Sequence, residues 1–211
     1  HIASKKKPVW IATGAATLNE VDIAMSELLK PTNDIEWMQC NTNYTASLEN
    51  FKYINLNVLK EYRRKYPDII LGLSDHTPGH ATVLGAVTLG ARAIEKHFTD
   101  DQTREGPYHK CSMNCNTWRE MVERTRELET AFGLEIKKVE DNEVETVILQ
   151  RRCIRAKKDL RIGSIIQHDD LEFLRPCPKD ALPPYELDQI VNKELVENIK
   201  SGDYIKWTSI K

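Results

Sequence analysis

An excess of charge of either sign is missing from these 211 residues: 30 lysines and arginines face 32 aspartates and glutamates. No broad field is present to attract nucleic acid or an acidic membrane surface. The one basic run, Lys5-Lys6-Lys7, is expected as a solvated loop ahead of a strand. No stretch is long and apolar enough to span a membrane, and no signal peptide is recognisable. Cysteine lacks a pattern: the five residues form no close pairs and read as reduced thiols of a cytoplasmic protein. Cys111 and Cys115 have zinc-like spacing, but no second pair follows, which argues against a zinc knuckle. The remaining composition, 40% hydrophobic, is ample for the core of one or two domains.

What is present is an alternation of strand and helix. Pro8–Thr13 reads as a buried strand ending at Gly14, and Thr17-Leu-Asn-Glu20 is a capping box opening a helix to about Lys30, stopped by Pro31. Ile35–Cys40 is the next strand, running into the polar loop Asn41–Thr45. A helix from about Leu56 to Tyr66 ends before Pro67. Two further strands flank a short crossover helix between His80 and Gly90. A last helix, about Thr117 to Phe132, is expected to turn Met121, Val122, Leu128 and Phe132 inward. Four strands alternating with four helices specify a parallel sheet in an α/β protein.

The segment Asp68–Ser112 holds the richest chemistry. In its first strand Ile69, Leu71 and Leu73 point one way, and Ile70, Gly72, Ser74 and His76 the other. In its second strand Ala93, Glu95 and His97 share a face. A short right-handed crossover makes these strands parallel neighbours about 4.8 Å apart. His76 and His97 can therefore end side by side at the carboxyl edge, where α/β folds bind ligands. Two imidazoles with Glu95 and Ser74 make a metal or anion site; taken singly, each histidine is a loop residue.

Gly133–Gln150 is acidic, weakly periodic and expected as a linker. Beyond it Leu160, Gly163, Ile166 and Leu171 recur as Ile199, Gly202, Ile205 and Ile210, every pair 39 residues apart. Each copy runs from a lysine-rich turn through glycine and a short strand to a one-turn helix, as expected of duplication. The proline-rich stretch Phe173–Pro184 between the copies is expected to be stiff and exposed.

Four motifs, GLSDHT (72–77), IEKHFT (94–99), GPYHKCS (106–112) and LRPCP (174–178), resemble the sialic acid synthase family. That family condenses phosphoenolpyruvate with N-acetylmannosamine or a related amino sugar, on a (β/α)8 barrel followed by an antifreeze-like (SAF) domain. The resemblance implies the last four βα units of a TIM-type barrel over residues 1–132, a linker over 133–149 and a SAF domain over 150–211. It places His76 and His97 on two ligands of a divalent metal, Mn2+ or Mg2+, and Glu95 on an active-site acid. Ser74 falls on a phosphoenolpyruvate contact and Tyr44 on a sugar contact. Arg175 falls on an arginine reaching the partner subunit's barrel, which implies a domain-swapped homodimer. Without the resemblance, Tyr44 reads as a packing residue and Arg175 as a surface residue.

The sequence also departs from the family. Tyr108 stands where an aspartate is common, Ala12 where a phosphate-binding serine ends a strand, and Cys177 with Pro178-Lys179 where glycines follow Arg-Pro. Half a barrel would leave two open strand edges. The chain is accordingly expected to be a fragment with little turnover of its own; the alternative is a non-catalytic binding or assembly module derived from such a synthase.

Overall fold

Proline and capping side chains punctuate the first half of the chain where the sequence places them. The computed structural model describes residues 1–211, which fall into two units, His1–Leu134 and Glu135–Lys211. In the first, strands Val9–Ala12 (β1), Ile35–Cys40 (β2), Ile70–Asp75 (β3) and Ala93–Lys96 (β4) form one sheet in that order, every neighbouring pair parallel. Helices Leu18–Leu28 (α1), Val58–Lys65 (α2), Ala81–Thr88 (α3) and Cys115–Ala131 (α4) alternate with them. The capping box forms as expected: Glu20 N–H donates to the Thr17 hydroxyl, and the Glu20 carboxylate accepts from Thr17 N–H at 2.7 Å.

Strand alternation gives the sheet two different faces. Trp37, Leu71, Leu73 and Ile94 pack with Met25, Leu59 and Val83 of the helices in the main core. The opposite face carries three cross-strand rows: Trp10, Glu36 and Ile70; then Ala12, Met38, Gly72 and Ala93; then Cys40, Ser74 and Glu95. Trp10 and Ile70 are exposed there. A Cβ on Gly72 would lie 2.5 Å from Met38 Cγ and 2.7 Å from the Ala93 carbonyl oxygen. Since a backbone oxygen cannot move aside, Gly72→Ala is expected to destabilise the fold by about 1–3 kcal/mol. Denaturant midpoints check this; a midpoint unchanged from wild type would show that the neighbouring strands give way freely.

The expectations for α4 and for the linker need correction. On α4 only Met121 is fully buried, with Trp118 and Leu128 partly covered, while Val122 and Phe132 are exposed. Asn114 caps this helix with bonds to the Asn116 and Thr117 amides, so Thr117 lies inside it, at the third helical position. The stretch expected as a linker contains a helix, Val144–Gln150 (α5), preceded by a single 3-10 turn.

In the second unit Cys153–Ala156 (β5) pairs antiparallel with Leu171–Leu174 (β6), and a short helix, Leu187–Ile190 (α6), follows the proline-rich stretch. The sequence repeat is a structural one. Gly163 and Gly202 both take positive φ, 81° and 89°, at equivalent turns. Ile166 and Ile205 are buried, and 3-10 turns at His168–Asp170 and Trp207–Ser209 close the copies. The copies hold each other: Leu160 and Ile199 exchange backbone bonds of 2.8 and 2.9 Å, and the Gly202 amide donates to the Ala156 carbonyl. Within the proline-rich stretch Ala181 and Leu182 are buried, contrary to the exposure expected for all of it.

Candidate functional site

Two parallel strands, β3 of six residues and β4 of four, end in register. Ser74 lies opposite Glu95 and Asp75 opposite Lys96, so the next residues, His76 and His97, leave the sheet together. Their ring centroids are 5.1 Å apart at 68°. His76 is buried, and its Nδ1 lies 2.8 Å from the Asn41 carbonyl, an acceptor only, so Nδ1 donates and Nε2 is the nitrogen not engaged by the protein. His97 is partly buried. Burial, reinforced by His76 and opposed by Glu95, lowers its pKa below the usual imidazole range, so the ring is neutral near pH 7.

Aromatic rings surround the pair. Tyr44, on the loop after β2, is 4.3 Å from the His76 ring and 5.5 Å from His97. Tyr108 is 5.2 Å from His97 and 5.3 Å from Tyr44. The segment bearing Tyr108 is laced to itself: Ser112 Oγ donates to the Tyr108 carbonyl, Gln102 to the Ser112 carbonyl, and the Met113 amide to the His97 carbonyl. The backbone of Tyr108 is therefore held close to His97, with its side chain half exposed.

Behind the rings, Ser74 Oγ donates to Glu95 Oε1 at 2.8 Å, with Ser74 buried and Glu95 exposed. Cys40 completes that row, and burial raises its thiol pKa, so it stays protonated and is a poor nucleophile. On the other side of the sheet Lys96 Nζ lies 2.6 Å from Asp75 Oδ2, with neither side chain exposed.

Of the residues expected to act together, Ser74, His76, Glu95, His97 and Tyr44 converge on one end of the sheet. Arg175 belongs to the other unit, exposed in the turn after β6, where the Arg175–Pro176 peptide is cis. No group of three or more histidine, cysteine, aspartate or glutamate side chains is placed to hold a metal. Two imidazoles are nevertheless a suitable donor set for an ion that keeps open positions for water and substrate. Sequence reasoning missed the Asn41 carbonyl and Lys96. A lysine placed where β4 alternation calls for a helix-facing residue was the available signal.

Residues 1–137 match the NeuB family model, and residues 151–211 match the SAF domain model. The N,N'-diacetyllegionaminic acid synthase of Legionella pneumophila is 35% identical over 100% of this chain and 59% of its own length. The human N-acetylneuraminate-9-phosphate synthase is 29% identical over 96% of this chain and 55% of its own length. A solved N-acetylneuraminic acid (sialic acid) synthetase from Leptospira borgpetersenii has a TM-score of 0.60 at 26% identity, covering 69% of this chain and 50% of that one. The chain thus spans between half and three-fifths of these relatives.

Proposed function

Since the chain belongs to the NeuB family and carries a SAF domain behind the matched region, we propose that it is the metal-binding part of a nonulosonic acid synthase. The reaction joins the methylene carbon of phosphoenolpyruvate to the aldehyde carbon of an N-acetylated amino sugar, consuming water and releasing phosphate. The observation that carries this reading is the pair of imidazoles, 5.1 Å apart, at the carboxyl ends of adjacent parallel strands. In barrels of βα units that end holds the active site.

His76 and His97 would hold a divalent cation, manganese or magnesium, which when bound polarises the sugar aldehyde as a Lewis acid. Glu95, exposed beside the rings, is the acid that hands a proton to the aldehyde oxygen as the carbon–carbon bond forms, and the Ser74 hydroxyl orients it. Released from Glu95, the same hydroxyl donates to the carboxylate or phosphate of phosphoenolpyruvate. Tyr44, beside both rings, contacts the sugar. Arg175, on an exposed turn, is read as serving the barrel of a second copy in a domain-swapped homodimer.

The four strands are read as the last four of an eight-stranded barrel. The open face supports this: Glu36 is buried with one carboxylate oxygen unpartnered, and burial raises its pKa. A donor from strands that close the sheet would satisfy it. A polypeptide joining this chain to those strands is expected to release phosphate from phosphoenolpyruvate in the presence of manganese, only when a suitable N-acetylated hexose is added. The 211-residue chain alone is expected to remain at background. Absence of sugar-dependent release across a panel of such hexoses would refute the enzymatic reading and favour a non-catalytic assembly module.

A further inference from the structure

Each of the two imidazoles follows one partner of a buried ion pair. Asp75 and Lys96 are opposite one another in the β3–β4 register, and His76 and His97 come directly after them. The pair lies on the helix side of the sheet, with both side chains fully buried. Around it the bonding is dense. Lys96 Nζ also donates to the Thr77 carbonyl at 2.7 Å. Asp75 Oδ1 accepts from the Thr77 amide and hydroxyl, and Oδ2 from the Thr82 hydroxyl at 2.6 Å. Thr82 belongs to the first turn of α3, so one carboxylate ties together two strand ends and a helix start.

Stability alone does not account for this arrangement. A buried ion pair gains little over apolar residues of similar volume, because desolvation cancels most of the attraction. It differs in being directional: short charge-assisted bonds permit one alignment, whereas methyl groups tolerate several. The backbone atoms so aligned lead straight into the two rings. We infer that Asp75 and Lys96 are positioning residues, whose buried bond sets the separation of His76 and His97. This rests on the proposed function only for the reason why the rings must meet.

The test separates alignment from stability. With isotope-labelled histidine, the 211-residue chain gives a spectrum of only six imidazoles. The His76 and His97 rings are close enough for a direct cross-peak between their ring protons. In the double variant Asp75→Leu/Lys96→Met, the melting temperature is expected at or above that of wild type, with the cross-peak lost. Manganese affinity is expected to fall by about 10–100-fold, as when an outer-shell partner is removed. Should that variant not fold, Asp75→Asn/Lys96→Met, which keeps a partner for Thr77 and Thr82 but removes the bond between the strands, provides the same comparison. A cross-peak of wild-type strength in a folded double variant overturns the inference, as does its absence from wild type. If wild type shows the cross-peak but binds no manganese, the metal reading fails, and the cross-peak still decides whether the pair aligns the rings.

Discussion

Replacing either His76 or His97 by alanine is expected to abolish manganese binding at low-millimolar concentrations of the ion, while the equivalent change at exposed His168 leaves binding intact. The size of the effect follows from the donor count. With no cluster of three or more metal-binding side chains available, the proposed site has only the two imidazoles as donors, and losing one halves that set. The loss is therefore expected to exceed the roughly 10–100-fold typical of an outer-shell change. The Asn41 carbonyl suits His76 to the proposed role, because it accepts from Nδ1 and so orients the ring with Nε2 as the remaining nitrogen. Titration calorimetry on the two variants checks the prediction. Wild-type affinity in both would remove the metal from the proposed mechanism.

The second large effect concerns stability. Lys96→Met alone is expected to destabilise the first unit by about 3–5 kcal/mol, because it leaves the Asp75 carboxylate buried without its cation. Only the Thr77 and Thr82 hydroxyls and the Thr77 amide would then face the charge. Against a total stability of about 5–15 kcal/mol, such a loss approaches unfolding. Chemical denaturation measures it directly. A change within the about 0–1 kcal/mol characteristic of exposed ion pairs would mean that water reaches Asp75. The single and double variants thus differ in sign: one strands a charge, whereas the other removes both.

The alternation of strand and helix was legible because its stops are chemical. Pro31 and Pro67 end segments they cannot continue, Thr17 and Glu20 cap α1, and β2 runs from Ile35 to Cys40 as the apolar pattern places it. Helix α4 was less legible, since Val122 and Phe132 are large and apolar yet face water, and nothing in their types distinguishes them from Met121. Helix α5 was hidden for a similar reason: Val144 and Leu149 are exposed, so no buried stripe marks it. At the site, the histidines were visible because each ends a strand whose length can be counted. The Asp75–Lys96 bond was not visible, because it depends on register between strands with 17 residues between them, which no local pattern encodes. Tyr108 and the Asn41 carbonyl lie in loops, where loop geometry rather than residue type decides what meets.

The two copies in the SAF domain interlock rather than stack. Ile154 accepts from the Ile205 amide, and Leu160 is bridged to Ile199, so each half finishes the backbone of the other. Closing a long loop must come before any of these bonds can form, and such topologies assemble slowly. A cut between the halves would therefore yield not two smaller copies but two unstructured peptides, whatever ancestry the duplicated pattern records.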